Sequence, residues 1–273
     1  MQLEKVRYKN KTIAYIHLHL DYYLSTSKAQ LIDSLAKNIK DSASGYAGFR
    51  TRRELRRYLR RTIFDPGAKS KIVRFNFNKS KAQRIIKDAI TSCHKVIPTR
   101  PIHVFVFPSF SKFEAAKMTG TSGFTPWQDV ILIFINPLAG QWARALPKTI
   151  AHEYCHVAVL KYHKWRTLLD SIIFEGLAEH FREYAVGGNR APWARALGVK
   201  QGKKLFQELK KNLYSRDLKL YRAVFFGNKN YPQWAGYSIG YQVVGNFIKN
   251  HPGLSWEKII ALDPKEILER SSY

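Results

Sequence analysis

Residues 149–160 read TIAHEYCHVAVL and set His152 and His156 four positions apart with Glu153 between them. On a helix those two imidazoles lie one turn apart on the same face and can reach one ion, while Glu153, rotated by about 100°, stands beside it. Neutral imidazole is a good zinc ligand, and a catalytic zinc takes three protein ligands and keeps one position for water. An HExxH match alone arises by chance in on the order of one chain in a hundred of this length. The surroundings therefore carry more weight. Ile150, Ala151, Cys155, Val157, Ala158, Val159 and Leu160 predict burial, where a carboxylate without a counter-charge is costly.

A third ligand is needed. The metzincin pattern wants Gly at 159 and His at 162, and the chain has Val159 and Tyr162, so that class is excluded. The other common solution draws a glutamate from a second helix, and IIFEGLAEHF offers Glu175 and Glu179. Eighteen residues separate His156 from Glu175, enough for one helix to end and the next to return antiparallel. Glu175 and Glu179 share a helix face, where like charges repel and a divalent cation would reverse the sign. Glu175 is expected as the ligand. Glu179 is expected to accept the free N–H of a ligand histidine and fix its tautomer, and is the alternative ligand. Glu183 continues the stripe and is expected to be solvated, and His163 and His180 are expected to be surface or core histidines.

Two helices must position these groups. Pro147 is expected in the first turn of a helix running to about Tyr162; Thr167, with Asp170 three residues on, caps a second that stops at Gly187-Gly188. Upstream, KTIAYIHLHL, PIHVFVF and DVILIFI read as strands, and SKAQLIDSLAKNIK and KAQRIIKDAITSCHKVI as helices. The stretch DSASGYAG, Pro66-Gly67 and the connection TGTSGFT read as turns or loops. Further helical patterns are GKKLFQELKKNL, GYSIGYQVVGNFIKN and WEKIIAL. The expected architecture is α+β: a mainly helical catalytic domain over residues 98–273, with a small sheet preceding the HExxH helix, behind a basic N-terminal subdomain over 1–97.

With HEYCH at 152–156, LLDSIIFEGLAEHF at 168–181 and WAGYSIGYQVV at 234–244, the chain resembles the bacterial YjaZ-like family of predicted zinc-dependent proteases, of gluzincin type. The resemblance covers roughly residues 100–250 and implies a zincin-like fold and a peptidase using Zn2+. In that chemistry His152, His156 and Glu175 hold the zinc, and Glu153 is the general base for a metal-activated water. Related peptidases take an oxyanion donor from a C-terminal helix, which here brings forward Tyr237 first and Tyr241 second. Against that stand 15 tyrosines in the chain, most of which serve as core. The substrate is expected to be a peptide or unfolded protein segment added to a sheet edge formed by PIHVFVF or DVILIFI.

Composition bounds the rest. The net charge of +26 is uneven, with residues 1–100 holding 23 Lys/Arg against 7 Asp/Glu, a local +16. In TRRELRRYLRR the arginines from Arg52 to Arg61 cover one half of a helical wheel and Leu55, Tyr58 and Leu59 the other. That face is expected to be solvated, or to meet nucleic acid or an anionic membrane surface. Two distant cysteines give no disulfide framework, and neither a signal peptide nor a membrane-spanning run is read, so a cytoplasmic protein is expected. Two rival functions follow from the basic third: a DNA-associated zinc protease, and a non-catalytic basic module for nucleic acid or a membrane surface with a structural metal site. The second lacks the fourth protein ligand that a closed zinc site uses.

Overall fold

A computed structural model describes residues 2–19, 27–37, 39, 49–65 and 77–273. The fold is α+β and mainly helical, and the chain divides into two compact units, residues 1–157 and 158–273, with the division inside one helix.

The first unit contains β1 (Gln2–Tyr8), β2 (Lys11–Leu18), α1 (Lys28–Lys37), α2 (Arg52–Ile63), α3 (Lys79–Val96) and β3 (Ile102–Pro108). After them come α4 (Lys112–Lys117), β4 (Thr121–Trp127), β5 (Val130–Ile135) and α5 (Trp142–Leu160), which continues past the division. Among the described residues, five strands form one mixed sheet in the order β1-β2-β3-β5-β4. β2, β3 and β5 run parallel, and the two edge strands, β1 and β4, are antiparallel to their neighbours. Lys9 and Asn10 join β1 to β2 with φ of 46° and 63°, the conformation a two-residue hairpin turn of matching twist demands.

One sheet face carries Phe105, Phe107, Leu132 and Phe134, which form a single core with Leu31 and Leu35 of α1 and Leu55, Leu59 and Ile63 of α2. On β2, His17 and His19 stack on Phe105 and Phe107. Burial lowers the His17 pKa to about 4 and that of His19 to about 3. The amphipathic pattern of α2 is thereby resolved: its leucines are fully buried, and Arg52, Arg53, Arg56, Arg57, Arg60 and Arg61 are all exposed.

The second unit is helical: α6 (Leu168–Val186), α7 (Val199–Leu209), α8 (Leu218–Phe226), α9 (Ala235–Asn250), α10 (Trp256–Ala261) and α11 (Pro264–Arg270). Thr167 and Asp170 form the reciprocal capping box read from the sequence, Asp170 N donating to Thr167 Oγ1 at 3.1 Å and Thr167 N to Asp170 Oδ2 at 2.8 Å. α6 ends at Gly187, as expected. α6 and α9 cross backbone against backbone: a Cβ on Gly176 would meet the Gly240 carbonyl, and one on Gly240 the Ile172 carbonyl.

Three expectations are corrected. α5 begins at Trp142, so Pro147 lies inside it rather than in its first turn. TGTSGFT is not a loop but most of β4, whose Gly123 and Pro126 are tolerated because the strand is an edge. Neither β3 nor β5 is an edge strand; among the described residues the edge beside α5 is β4. β1, α4, α8 and α11 were not expected. The turn-like DSASGYAG and Pro66-Gly67 lie outside the described residues. Among the described residues, no helix is long and apolar enough to cross a membrane, and Cys93 and Cys155 are buried free thiols.

Candidate metal centre

α5 carries His152, Glu153 and His156, and its position is fixed by the residue between the motif's charged members. Tyr154 is fully buried, and its hydroxyl donates to Ile97 O at 2.8 Å and lies 3.0 Å from Thr99 Oγ1. His156 is buried and His152 partly so. Their Nε2 atoms approach to 3.0 Å with the rings at 87°.

The donor set fits zinc. Two nitrogens each about 2.0–2.1 Å from a tetrahedral ion lie about 3.3 Å apart, close to the spacing of the two imidazoles. One ligand atom each from His152, His156 and Glu175 lie within 4.8 Å of one another, a group that could hold a metal ion. Two imidazoles and a carboxylate are also the ligand types of a three-ligand zinc site.

Glu153 is buried, and β4 holds it. Thr125 Oγ1 donates to Glu153 Oε2 at 2.7 Å and lies 3.1 Å from its carbonyl. Gly123, two residues back on the same strand face, leaves room for that side chain: a Cβ there would sit 2.6 Å from Glu153 Oε1 and 2.7 Å from Cδ. On the same face Thr121 Oγ1 is 2.7 Å from Thr149 Oγ1. Thr121, Gly123 and Thr125 thus form one row against α5. The sequence reading missed this row, although its T-x-G-x-T alternation is a period-two signal.

On the opposite face of β4 lies a second buried carboxyl, Glu114 of α4, which accepts a hydrogen bond from Ser122 Oγ. Burial raises its pKa to about 7.

Along α6, Glu179 is fully buried, with Oε2 accepting from Arg182 Nε and Oε1 from Trp193 Nε1, both at 2.7 Å. Arg182, itself 3% exposed, also donates to Asn189 O at 3.1 Å. Glu183 is not merely solvated: it accepts the Tyr241 hydroxyl at 2.8 Å and lies 3.6 Å from Arg182 Nη2. Tyr241 stacks on His180 at 4.0 Å and lies under the Arg190 guanidinium. His180 Nε2 bonds the Tyr241 carbonyl at 2.8 Å and His163 Nε2 the Ile260 carbonyl at 2.9 Å. Tyr237, one turn before Tyr241 on α9, packs edge-on against Phe225. Burial pushes the pKa of Tyr221 on α8 up, and the charge of Glu175 adds to it.

The family model described as "Predicted Zn-dependent protease (DUF2268)" matches residues 82–269. The chain is 34% identical over 138 residues to the uncharacterized protein YjaZ of Bacillus subtilis (strain 168), covering 47% of this chain and 51% of that protein. It therefore spans about half the length of the curated relative it matches. No solved structure matches significantly.

Proposed function

The chain belongs to the family of predicted Zn-dependent proteases, and from that premise we propose that it is a gluzincin-type metallopeptidase. His152, His156 and Glu175 would hold the zinc. When bound, zinc supplies Lewis acidity, which acidifies a water and polarises a carbonyl.

The observation that carries this reading is the placement of Glu153, a buried carboxylate next in sequence to one proposed ligand and held at Oε2 by Thr125. A carboxylate fixed there accepts a proton from the attacking water and returns it to the leaving amine. Thr125 sets its rotamer and Gly123 leaves room for it. Tyr237 is the first candidate and Tyr241 the second for donor to the developing oxyanion. The substrate is a peptide or unfolded segment that adds as a strand to the β4 edge, where Phe124 and Trp127 expose 38% and 54% of their surface.

Elemental analysis beside a casein-cleavage assay tests the reading. The wild type should carry one zinc per chain, and chelation should abolish cleavage. Glu153→Gln should keep the zinc and lose about 10²–10⁴-fold in rate, the contribution of a positioned acid–base group. A Glu153→Gln variant cleaving at the wild-type rate overturns the mechanism, and full zinc retention in Glu175→Ala overturns the ligand assignment.

A further inference from the structure

The arginine face of α2 has no part in the peptidase reading, yet the fold keeps it rigid and open. Leu55, Leu59 and Ile63 are fully buried in the core, so the helix cannot roll, and its six arginines all remain exposed. They lie in two rows, Arg52-Arg56-Arg60 and Arg53-Arg57-Arg61, whose members follow one another about 6 Å apart along the axis. Among the described residues, this face makes one ion pair, Arg56 Nη2 to Asp33 Oδ1 at 2.5 Å. From this geometry we propose that the exposed face of α2 is a docking surface for nucleic acid, gripping the phosphate backbone without reading base sequence.

Two observations choose nucleic acid over an anionic membrane. A helix that binds in the membrane interface sinks an apolar face among the acyl chains. In α2 the apolar face is already buried in the protein core, and the outward face is arginine throughout. The choice of cation points the same way. The chain holds 27 Lys and 19 Arg, but residues 51–61 contain six Arg and no Lys. A guanidinium grips phosphate oxygens with two parallel hydrogen bonds, whereas lysine offers a point charge. A surface needing only positive charge gives no reason for that exclusion.

The test uses the zinc-loaded full chain, a fluorescent DNA duplex of about 20 base pairs, and salt varied between about 50 and 200 mM. Binding should weaken linearly in log–log form as salt rises. Replacing Arg53, Arg57 and Arg61 by Gln should lower that slope by about 2.7, at about 0.9 for each phosphate no longer neutralised. Replacing the same three by Lys should leave the slope in place. Vesicles of phosphatidylcholine with phosphatidylserine should bind the wild type less tightly than the duplex does. An unchanged slope in the Gln variant, a slope lost equally in the Lys variant, or vesicle binding that matches duplex binding overturns the proposal. The comparison of duplex with vesicles needs only the wild type and decides the matter even where a variant fails to fold.

Discussion

α2 and α6 both carry charge at helical spacing, and they dispose of it in opposite ways. α2 turns six arginines outward and buries its leucines; α6 buries Glu175, Glu179 and Arg182 among Ile172, Ile173, Leu177 and Phe181. The outward charges cost little, because water solvates each of them, so they place almost no constraint on the fold. The inward charges would be ruinous alone, so each must have acquired a partner. Glu179 has Arg182 and Trp193, and Glu175 belongs to the proposed ligand set. Buried charge is therefore the better guide to chemistry, and exposed charge the better guide to what the surface meets.

The contrast breaks first, if at all, at Glu179. Glu179→Ala leaves Arg182 buried without its nearest carboxylate, and removing one partner of a buried pair costs about 3–5 kcal/mol. Urea unfolding measures it, and a loss below about 1 kcal/mol would show that α6 holds its charges no more tightly than α2 does.

Glu114 sharpens the comparison, being a buried carboxyl with hydroxyl partners in place of a cation. Its folded pKa of about 7 stands above the unfolded value of 4.5. Its contribution is therefore complete below pH 4.5 and is lost as pH rises through 7, by roughly 3 kcal/mol in all. His17 and His19 act in the other direction, stabilising above pH 6.5 and losing that contribution as pH falls toward about 4 and about 3. The difference in unfolding free energy between wild type and Glu114→Gln isolates the carboxyl; a difference flat from pH 4.5 to 8 refutes the assignment.

The smallest effect belongs to α2. Replacing Arg53, Arg57 and Arg61 by Gln should change the unfolding free energy by no more than about 0.5 kcal/mol, as exposed positions usually do. A larger loss would mean that the arginine face supports the fold.

Much of the candidate centre was legible because its residues follow local periodicity. His152, Glu153 and His156 share one helix, and Glu175 stood out as a charge in an apolar run. Thr167 and Asp170 announced their helix three residues apart. What escaped was either long-range or disguised. Gly123 and Pro126 made β4 look like a loop, and its edge position, which excuses both, is a property of the assembled sheet. The partner of Glu179, Trp193, lies fourteen residues away beyond the end of α6, and no periodicity links them. Pro147 was misplaced because a proline inside a helix and one near its start leave similar local patterns.

The crossing of α6 and α9 at Gly176 and Gly240 has a consequence for how such a sequence can drift. Each position faces a carbonyl that any side chain would strike, and the two faults do not cancel, because enlarging one residue makes no space for the other. Neither glycine can therefore be exchanged first and compensated later. The crossing behaves as a fixed point in sequence space, around which Glu175, next to one glycine, and Tyr237 and Tyr241, flanking the other, can vary only as substitutions on a common rigid frame.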